Sequence, residues 1–241
     1  MRAVLRALRP LRFLLVLLAV IGVGAGVLAA RDDPEPRPWA GTWAATATVS
    51  EVAVYPAPGA AEPRVRLKSP TTSGAALVFL VDGTSVGGDW LPVHLPIRPN
   101  GSTGWVRKAD VRLAANDFRL RVDLHERELV FEDDGEVQWR TPIGVGTKAM
   151  PTPAGRYYVK ELVKPGKEDQ LYGPFALGLS GFTDEPGAVD FKGGEGVLAI
   201  HGTDDPDSIG QQVSHGCIRV PNDVITFLAG TLPMGTPVDV E

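Results

Sequence analysis

The sequence contains a single cysteine, Cys217, among its 241 residues. A chain that is held together by internal disulfide bonds carries an even number of cysteines, so an intramolecular disulfide is excluded. Three interpretations of Cys217 remain at this level: an inert buried thiol, an intermolecular disulfide and a reactive nucleophile. The residues around Cys217 are therefore needed to choose between them.

Aromatic residues are also scarce, at 7% of the chain, whereas 28 glycines and 21 prolines are present. This composition favours short strands joined by tight turns over long helices. The hydrophobic content of 44% is sufficient to build globular cores, which excludes disorder throughout the chain. The sequence therefore predicts a mainly β protein with one large or two small domains.

Basic residues are in the minority, with 24 lysines and arginines against 29 acidic residues. Four of the arginines lie within the first thirty residues, which contain no acidic residue, so the remainder carries a net charge of about −9. Proteins bind nucleic acids through basic surfaces, and a nucleic-acid partner is therefore disfavoured.

The one long hydrophobic run covers residues 13–30, with arginines before it and Arg31-Asp32-Asp33 after it. This arrangement predicts an export segment over residues 1–30 and places the bulk of the chain on the extracytoplasmic side of the membrane or in the cell wall. The run has about the minimum length of a membrane span, yet Leu28-Ala29-Ala30 also offers a cleavage site. Both a retained membrane anchor and a cleaved signal peptide stay open.

Residues 31–45 are rich in proline and charge, and they predict an extended linker. Residues 46–114 contain five short β-type runs separated by turn clusters, which is typical of a small, strongly bent β-barrel. The five predicted strands are Thr48–Tyr55, Val65–Leu67, Ala76–Val81, Trp90–Leu95 and Gly104–Val106.

Two stretches of the first domain, Trp90-Leu91-Pro92-Val93 and Thr103-Gly104-Trp105-Val106, are similar to the bacterial Src-homology-like wall-binding domains. The resemblance covers this segment alone and implies that the domain binds cell wall. Trp90 and Trp105 could line a ligand groove or could serve as core residues of the barrel.

A second domain is predicted over residues 117–241, after a hinge at Ala114-Ala115-Asn116-Asp117. It begins with the period-two strand Phe118–Leu124. Further along, the buried-type strand Val197–Ile200 delivers His201 at its end. The expected fold class is mainly β: a small bent barrel followed by a β-rich, β-sandwich-like domain with one or two short helices.

Two further features of this second domain are predicted. Residues 164–191 are rich in glycine and proline with little periodicity, and a segment of this kind is often a functional lid. A helix is expected at Asn222–Ala229, with Asn222 as its N-cap and Gly230 past its C-terminus.

Two of the four histidines, His201 and His215, lie within sixteen residues of the only thiol. The pKa of a cysteine falls when an imidazolium stands beside it, and the resulting thiolate is a competent nucleophile. In Ser214-His215-Gly216-Cys217, Gly216 allows close approach of a substrate carbonyl, and the backbone amides there could donate to an oxyanion. The pattern predicts an acyl-transfer site.

Zinc is the alternative, because His201, His215 and Cys217 are also metal-ligand types. A fourth ligand would have to come from Asp204 or Asp205, which are more simply interpreted as turn residues. The expectation is a site without metal or cofactor.

The stretch from about Phe118 to Glu241 resembles the L,D-transpeptidase catalytic family of the YkuD type. That family is marked by a histidine, a gap of about a dozen residues, and then Ser/Thr-His-Gly-Cys followed by a hydrophobic residue and Arg or Asn. This sequence fills each position with His201, Ser214-His215-Gly216-Cys217, Ile218 and Arg219.

The resemblance implies a reaction on peptidoglycan. Cys217 would attack the carbonyl that links the L-centre of a diamino acid to a terminal D-alanine in a tetrapeptide stem, forming a thioester and releasing D-alanine. An amine of a second stem would then form a 3-3 cross-link, whereas water would give L,D-carboxypeptidase action. A non-catalytic wall-binding protein is the alternative from another class.

The resemblance also assigns roles to side chains. His201 is the expected base, and His215 is the other candidate for that role. If His201 is the base, His215 would orient the loop and shape the oxyanion pocket beside Gly216. Ser214 could bond the imidazole or stabilise the turn. Arg219 could hold a substrate carboxylate or a structural ion pair. Tyr172, in the predicted lid, is a candidate substrate contact.

Overall fold

The computed structural model describes residues 41–83, 86–166, 169–183, 190–191 and 194–241. The predicted export segment and residues 31–40 of the predicted linker lie outside these ranges. Residues 42–45 of that linker belong instead to a strand, because Trp43 and Ala45 pack their side chains into an apolar core. The predicted linker is therefore too long at its C-terminal end.

We define residues 41–116 as the N-terminal lobe, and its described residues form seven strands. They are β1 (Thr42–Ala47), β2 (Glu51–Val54), β3 (Val65–Lys68), β4 (Val78–Val81), β5 (Trp90–His94), β6 (Thr103–Arg107) and β7 (Val111–Asn116). Five of them form an antiparallel sheet in the order β6-β5-β4-β1-β7, and β2 pairs with β3 as a hairpin. A bridge between Tyr55 and Trp105 links the hairpin to the sheet.

Two predictions for this lobe are wrong in detail. The predicted strand Thr48–Tyr55 is interrupted by a turn at residues 48–50, so that only β2 remains of it. The predicted hinge lies mostly in β7, where Ala115 pairs with Trp43 of β1, and Asp117 alone separates β7 from the next strand. The likeness to Src-homology-like domains stays a prediction.

The described residues of the C-terminal lobe, which covers residues 117–241, form twelve strands, one α-helix and two 3-10 turns at Gln170–Tyr172 and Pro206–Ser208. Its elements are β8 (Phe118–Asp123), β9 (Glu128–Asp133), β10 (Glu136–Pro142), β11 (Val145–Gly146), β12 (Gly155–Val163), β13 (Ala176–Phe182), β14 (Asp190–Phe191), β15 (Gly194–Glu195), β16 (Val197–His201), β17 (Gln212–Ser214), β18 (Ile218–Arg219), α1 (Asn222–Thr231) and β19 (Pro237–Val240).

Eight of these strands form one mixed sheet in the order β10-β9-β8-β19-β12-β13-β16-β18. Most neighbours are antiparallel, while β19 with β8 and β16 with β18 are parallel. Side chains from both halves of the sheet, such as Leu120 of β8 and Ile218 of the edge strand β18, share one buried cluster with Leu228 of α1. The sheet therefore curls around its core, and the prediction of a mainly β fold is confirmed.

Alternation along the central strands separates two faces of this sheet. In β13 and β16, the leucines and Ile200 point into the main core, whereas Ala176, Ala199 and His201 lie on the opposite face. Successive side chains of a strand point to opposite faces, so the small residues form a surface of their own. We call it the site face.

Two predictions for the C-terminal lobe need correction. The predicted lid, residues 164–191, contains β13, a central strand of the sheet that pairs with β12 on one side and β16 on the other. Helix α1 continues through Gly230 to Thr231, its N-cap is Pro221, and Ile225 and Leu228 bury its inner face. Asn222 is therefore not the N-cap.

The two lobes are in direct contact. The buried Tyr158 hydroxyl donates to the carbonyl oxygen of Val78 at 3.0 Å, and Asn116 Nδ2 donates to Thr236 Oγ1 at 3.1 Å. Ala44 and Leu80 pack with Tyr158 in a shared apolar cluster. Within the described ranges, no helix is long and apolar enough to cross a membrane.

Candidate active site

Cys217 and His201 are brought together by the parallel pairing of β16 with β18. In that register Ile200 is opposite Ile218 and His201 is opposite Arg219. Cys217 is thus level with Ala199, and the two side chains pack together. Because Ala199 and His201 are two residues apart on one strand, the thiol and the imidazole lie on the same face of the sheet.

The tautomer of His201 follows from its backbone neighbour. His201 Nδ1 lies 2.5 Å from the carbonyl oxygen of Gly202. A carbonyl oxygen accepts only, so Nδ1 carries the proton in this hydrogen bond and Nε2 keeps its lone pair. The imidazole is therefore arranged to take a proton through Nε2.

Burial sets the protonation of both groups. His201 is 3% exposed and Cys217 is 2% exposed. Desolvation lowers the pKa of His201 to about 4, and it raises the pKa of Cys217 to about 11, against smaller lowering contributions from the Ala199 backbone and the Arg219 charge. The predicted lowering of the cysteine pKa is wrong for this state, since both groups are neutral at pH 7.

The turn before Cys217 is held by Ser214. Its hydroxyl donates to the carbonyl oxygen of Cys217 at 2.5 Å and accepts from the N–H of Gly216 at 3.1 Å. Of the two roles considered for Ser214, the structure places the hydroxyl in the turn. Because that bond occupies the Gly216 N–H, an oxyanion would have to use other donors of this turn in this state.

Both the backbone conformation and the surroundings of position 216 favour glycine. Its φ is +115°, a conformation that residues with a side chain rarely adopt, and a Cβ there would lie 2.7 Å from Cγ2 of Thr183. Thr183 follows β13 and is fixed by donation from its N–H to the Gly196 carbonyl at 2.7 Å. Thr183, which sequence analysis did not identify, therefore packs directly beside the nucleophile turn.

The other predicted residues are distributed around this pair. His215 is exposed, whereas its neighbours Ser214 and Gly216 are buried. Arg219 is half-buried beside His201, and its buried Nε has no hydrogen-bond partner within the described residues. Tyr172 places its ring edge-on to the His201 imidazole, with centroids 5.0 Å apart. Tyr172 thus covers the histidine.

Asn222 is a second residue whose role sequence analysis missed. Its Oδ1 accepts from the N–H of Thr203, and its Nδ2 donates to the Thr203 carbonyl, both at 2.9 Å. A Cβ on Gly202 would clash with that same Oδ1. Asn222 therefore fixes the chain immediately after His201.

The zinc alternative can be compared with this geometry. Asp204 and Asp205 are exposed turn residues, and Asp205 contributes its carbonyl oxygen to bonds from Thr203 and Ser208. In the part of the chain that the structure describes, no three residues among His, Cys, Asp and Glu are grouped as metal ligands. The site has the chemistry of a cysteine and histidine pair.

Residues 117–240, slightly more than half of the chain, match the family model of the YkuD L,D-transpeptidase catalytic domain. The chain belongs to this family. YqjB of Bacillus subtilis, a candidate L,D-transpeptidase, is 31% identical over 128 residues, which cover 48% of this chain and 67% of YqjB. YkuD of the same organism is 32% identical over 125 residues, which cover 52% of this chain and 66% of YkuD. The chain thus spans about two thirds of these relatives.

Solved structures of L,D-transpeptidases are also similar. The Enterococcus faecium enzyme is 28% identical with a TM-score of 0.39, over 52% of this chain and 50% of that one. An L,D-transpeptidase from Mycobacterium tuberculosis is 16% identical with a TM-score of 0.44, over 58% of this chain and 65% of that one. The matched part of the E. faecium chain is about half of its length.

Proposed function

We propose that this protein is a peptidoglycan L,D-transpeptidase with Cys217 as nucleophile and His201 as base. The observation that carries the proposal is the pairing of β16 with β18, which puts both side chains on the site face, with the His201 Nδ1 proton bound to Gly202. Family membership supports the substrate class, a tetrapeptide stem that ends in D-alanine.

Acylation begins from two neutral groups. His201 Nε2 takes the thiol proton as Cys217 Sγ attacks the carbonyl carbon between the third residue and D-alanine. The C–N bond then breaks, the proton passes from Nε2 to the departing D-alanine nitrogen, and a thioester remains. Because the pKa of the free thiol is about 11, proton transfer has to accompany attack.

Resolution uses the same residues. An amine of an acceptor stem attacks the thioester carbonyl and gives its proton to His201 Nε2, the C–S bond breaks, and the thiolate recovers the proton. The product is a 3-3 cross-link. Water in place of the amine gives L,D-carboxypeptidase action through the same steps. Donors near Gly216, with His215 shaping the pocket, would stabilise the oxyanion.

The partners follow from this assignment. Peptidoglycan stems lie outside the cytoplasmic membrane, which agrees with the export segment predicted for residues 1–30. If that segment is retained, it attaches the protein to the membrane at its extracytoplasmic face. The reaction needs neither metal nor cofactor.

Product analysis tests the proposal. The full-length protein in detergent is incubated with disaccharide-tetrapeptide stems, and the products are identified by mass spectrometry. We expect free D-alanine and 3-3 linked dimers from the wild type and neither from Cys217→Ala. Tripeptide stems without dimers would indicate the carboxypeptidase, and unchanged stems would support the wall-binding alternative. A carbapenem adduct on Cys217, absent in Cys217→Ala, would confirm the nucleophile independently.

A further inference from the structure

A cleft of about 650 Å³ lies between the two lobes, beside the candidate active site. Residues such as Leu77 and Ile97 line it from the N-terminal lobe, and Glu161, Phe182 and Val197 line it from the C-terminal lobe. The carbonyl oxygen of Val197 lies 3.9 Å from Cys217 Sγ. A molecule in the cleft would thus contact a residue that also contacts the nucleophile.

The cleft contains a buried carboxylate that the mechanism above does not use. Glu161 is 6% exposed and lies at a register shift of β12 against β13, between Val159 and Glu161. Irregularities of this kind re-aim side chains and are common next to active sites. As a result, both Lys160 and Glu161 line the cleft.

Glu161 leans along the site face toward Cys217. In the sheet register, Glu161 of β12 is opposite Gly178 of β13, Gly178 is opposite Ala199 of β16, and Ala199 is level with Cys217 of β18. A Cβ on Gly178 would lie 2.7 Å from Cγ and 2.9 Å from Oε1 of Glu161. The carboxylate therefore lies over Gly178, and small side chains separate it from the thiol.

The Glu161 carboxylate has acceptor positions left for a further hydrogen-bond donor. Lys160 Nζ is 3.5 Å from Oε1, which is longer than the roughly 2.8 Å of a charged hydrogen bond. Within the described residues, the Glu161 side chain accepts no hydrogen bond, although an ionised carboxylate has about four acceptor positions. A buried carboxylate that accepts no hydrogen bond from its neighbours favours binding of a cationic group.

We propose that Glu161 binds the side-chain ammonium of the diamino acid in the donor stem, which makes it a specificity residue of this cleft. The inference rests on the proposed function for the identity of the stem. It accounts for a buried acid, a glycine beneath it and a row of small residues that ends at the nucleophile.

The dimensions agree with this assignment. Two strand spacings of about 4.8 Å place the carboxylate roughly 10 Å from the backbone of Cys217. Five bonds from the α-carbon to the side-chain nitrogen of a diamino acid span roughly 6 Å. A hydrogen bond adds about 2.8 Å. An acyl group on Cys217 can therefore place its ammonium at Glu161.

The positive charge of the bound ammonium also indicates that it belongs to the donor stem and not to the acceptor stem. A carboxylate stabilises the protonated ammonium, which has no lone pair and cannot attack a thioester. The acceptor amine has to react unprotonated, so the Glu161 site suits recognition of the donor. Lys68, Arg98 and Lys160 line the same cleft, which fits a stem that carries carboxylates beside one ammonium.

Binding to an inactive variant tests the inference without turnover. Full-length Cys217→Ala protein is titrated calorimetrically with two tetrapeptide stems that differ only in lysine or norleucine at the third position. We expect the Kd of the lysine stem to be lower by roughly 10- to 150-fold. Adding Glu161→Gln should reduce this ratio to within about twofold, and Gly178→Ala should reduce it because its Cβ displaces the carboxylate.

Glu132→Gln is the matched control, since Glu132 is also a buried glutamate and pairs with Arg121 in the outer part of the sheet. It should leave the ratio unchanged. Equal binding of both stems, no binding of either, or a ratio that survives Glu161→Gln would overturn the inference.

D-alanine release by the wild type separates the two proposals. Release with no preference between the stems would overturn the role of Glu161 and leave the proposed function intact. A preference that depends on Glu161, without D-alanine release from any stem, would support the ammonium site and contradict the transpeptidase assignment.

Discussion

The side-chain amide of Asn100 forms two hydrogen bonds with the backbone of Phe182, one to its carbonyl and one from its N–H, as a neighbouring strand would. Asn100 Nδ2 donates to the Phe182 carbonyl at 2.8 Å, and Asn100 Oδ1 accepts from the Phe182 N–H at 2.9 Å. Asn100 belongs to the N-terminal lobe, whereas Phe182 ends β13 and is followed by Thr183, which packs on Gly216. The N-terminal lobe is therefore bonded to the segment that supports the nucleophile turn.

Asn100→Ala should weaken both the protein and its active site. Loss of two hydrogen bonds, with the Phe182 backbone left unpaired, should reduce the free energy of unfolding by about 2 kcal/mol. Denaturant titration measures this change, and kcat/KM for D-alanine release should fall as well. Gln138→Ala, on an exposed strand, serves as control. A change below about 0.5 kcal/mol for Asn100→Ala would contradict the interlobe role.

Gly216→Ala should abolish most of the activity. The new Cβ meets Thr183 Cγ2 at 2.7 Å, and φ of +115° is strained for alanine. We expect a loss of about 2 kcal/mol in unfolding free energy. Thr183→Ser removes the opposing methyl group, so the double variant should recover part of that loss. Equal stability of single and double variants would show that the contact with Thr183 has no effect.

Acid should destabilise the protein through His201. Its pKa in the folded state is about 4 against an ordinary value of 6.5, so the unfolded chain binds the extra proton as the pH falls from about 6.5 to about 4. Stability is lost over this window, by roughly 2 kcal/mol at pH 5 relative to pH 7. Denaturant titrations at pH 5, 6 and 7 measure the slope. His201→Asn should have a shallower slope, and equal slopes would contradict the buried neutral imidazole.

Alkylation of Cys217 should be slow in the resting protein. With a pKa of about 11, the thiolate fraction at pH 7 is roughly one in ten thousand. The rate of modification by iodoacetamide, followed by mass spectrometry, should rise about tenfold per pH unit up to pH 10. Arg219→Gln removes a charge that lowers this pKa and should slow the reaction at pH 9. A plateau by pH 8 would show an activated thiolate instead.

The sequence indicates which residues form the candidate site because most of them follow a local pattern. Ser214-His215-Gly216-Cys217 is contiguous, and the buried run before His201 indicates a strand. The parallel pairing of β16 with β18 then places His201 and Cys217 on one face of the sheet. What composition could not indicate was the extent of burial, and the direction of the cysteine pKa depends on it.

The elements that were missed depend on distant partners. β13 contains two glycines and a serine, which are uncommon in strands, and it is stabilised by pairing with β12 and β16. β1 lies next to a proline-rich segment and is recognisable only through its pairing with β4 and β7. Asn222 had the residue type and position of an N-cap, yet its side chain binds Thr203. The chain at residue 203 is remote in sequence, so no local pattern could reveal that bond.

The burial of Cys217 affects how readily its thiol is oxidised in the resting protein. Oxidants such as peroxide react with thiolates that they can reach, and the resting thiol is both protonated and 2% exposed. A chain without a second cysteine has no resolving thiol with which to reverse a sulfenic acid as an internal disulfide. Burial of the sulfur in the resting protein would therefore give it a resistance to inactivation that its composition alone does not provide.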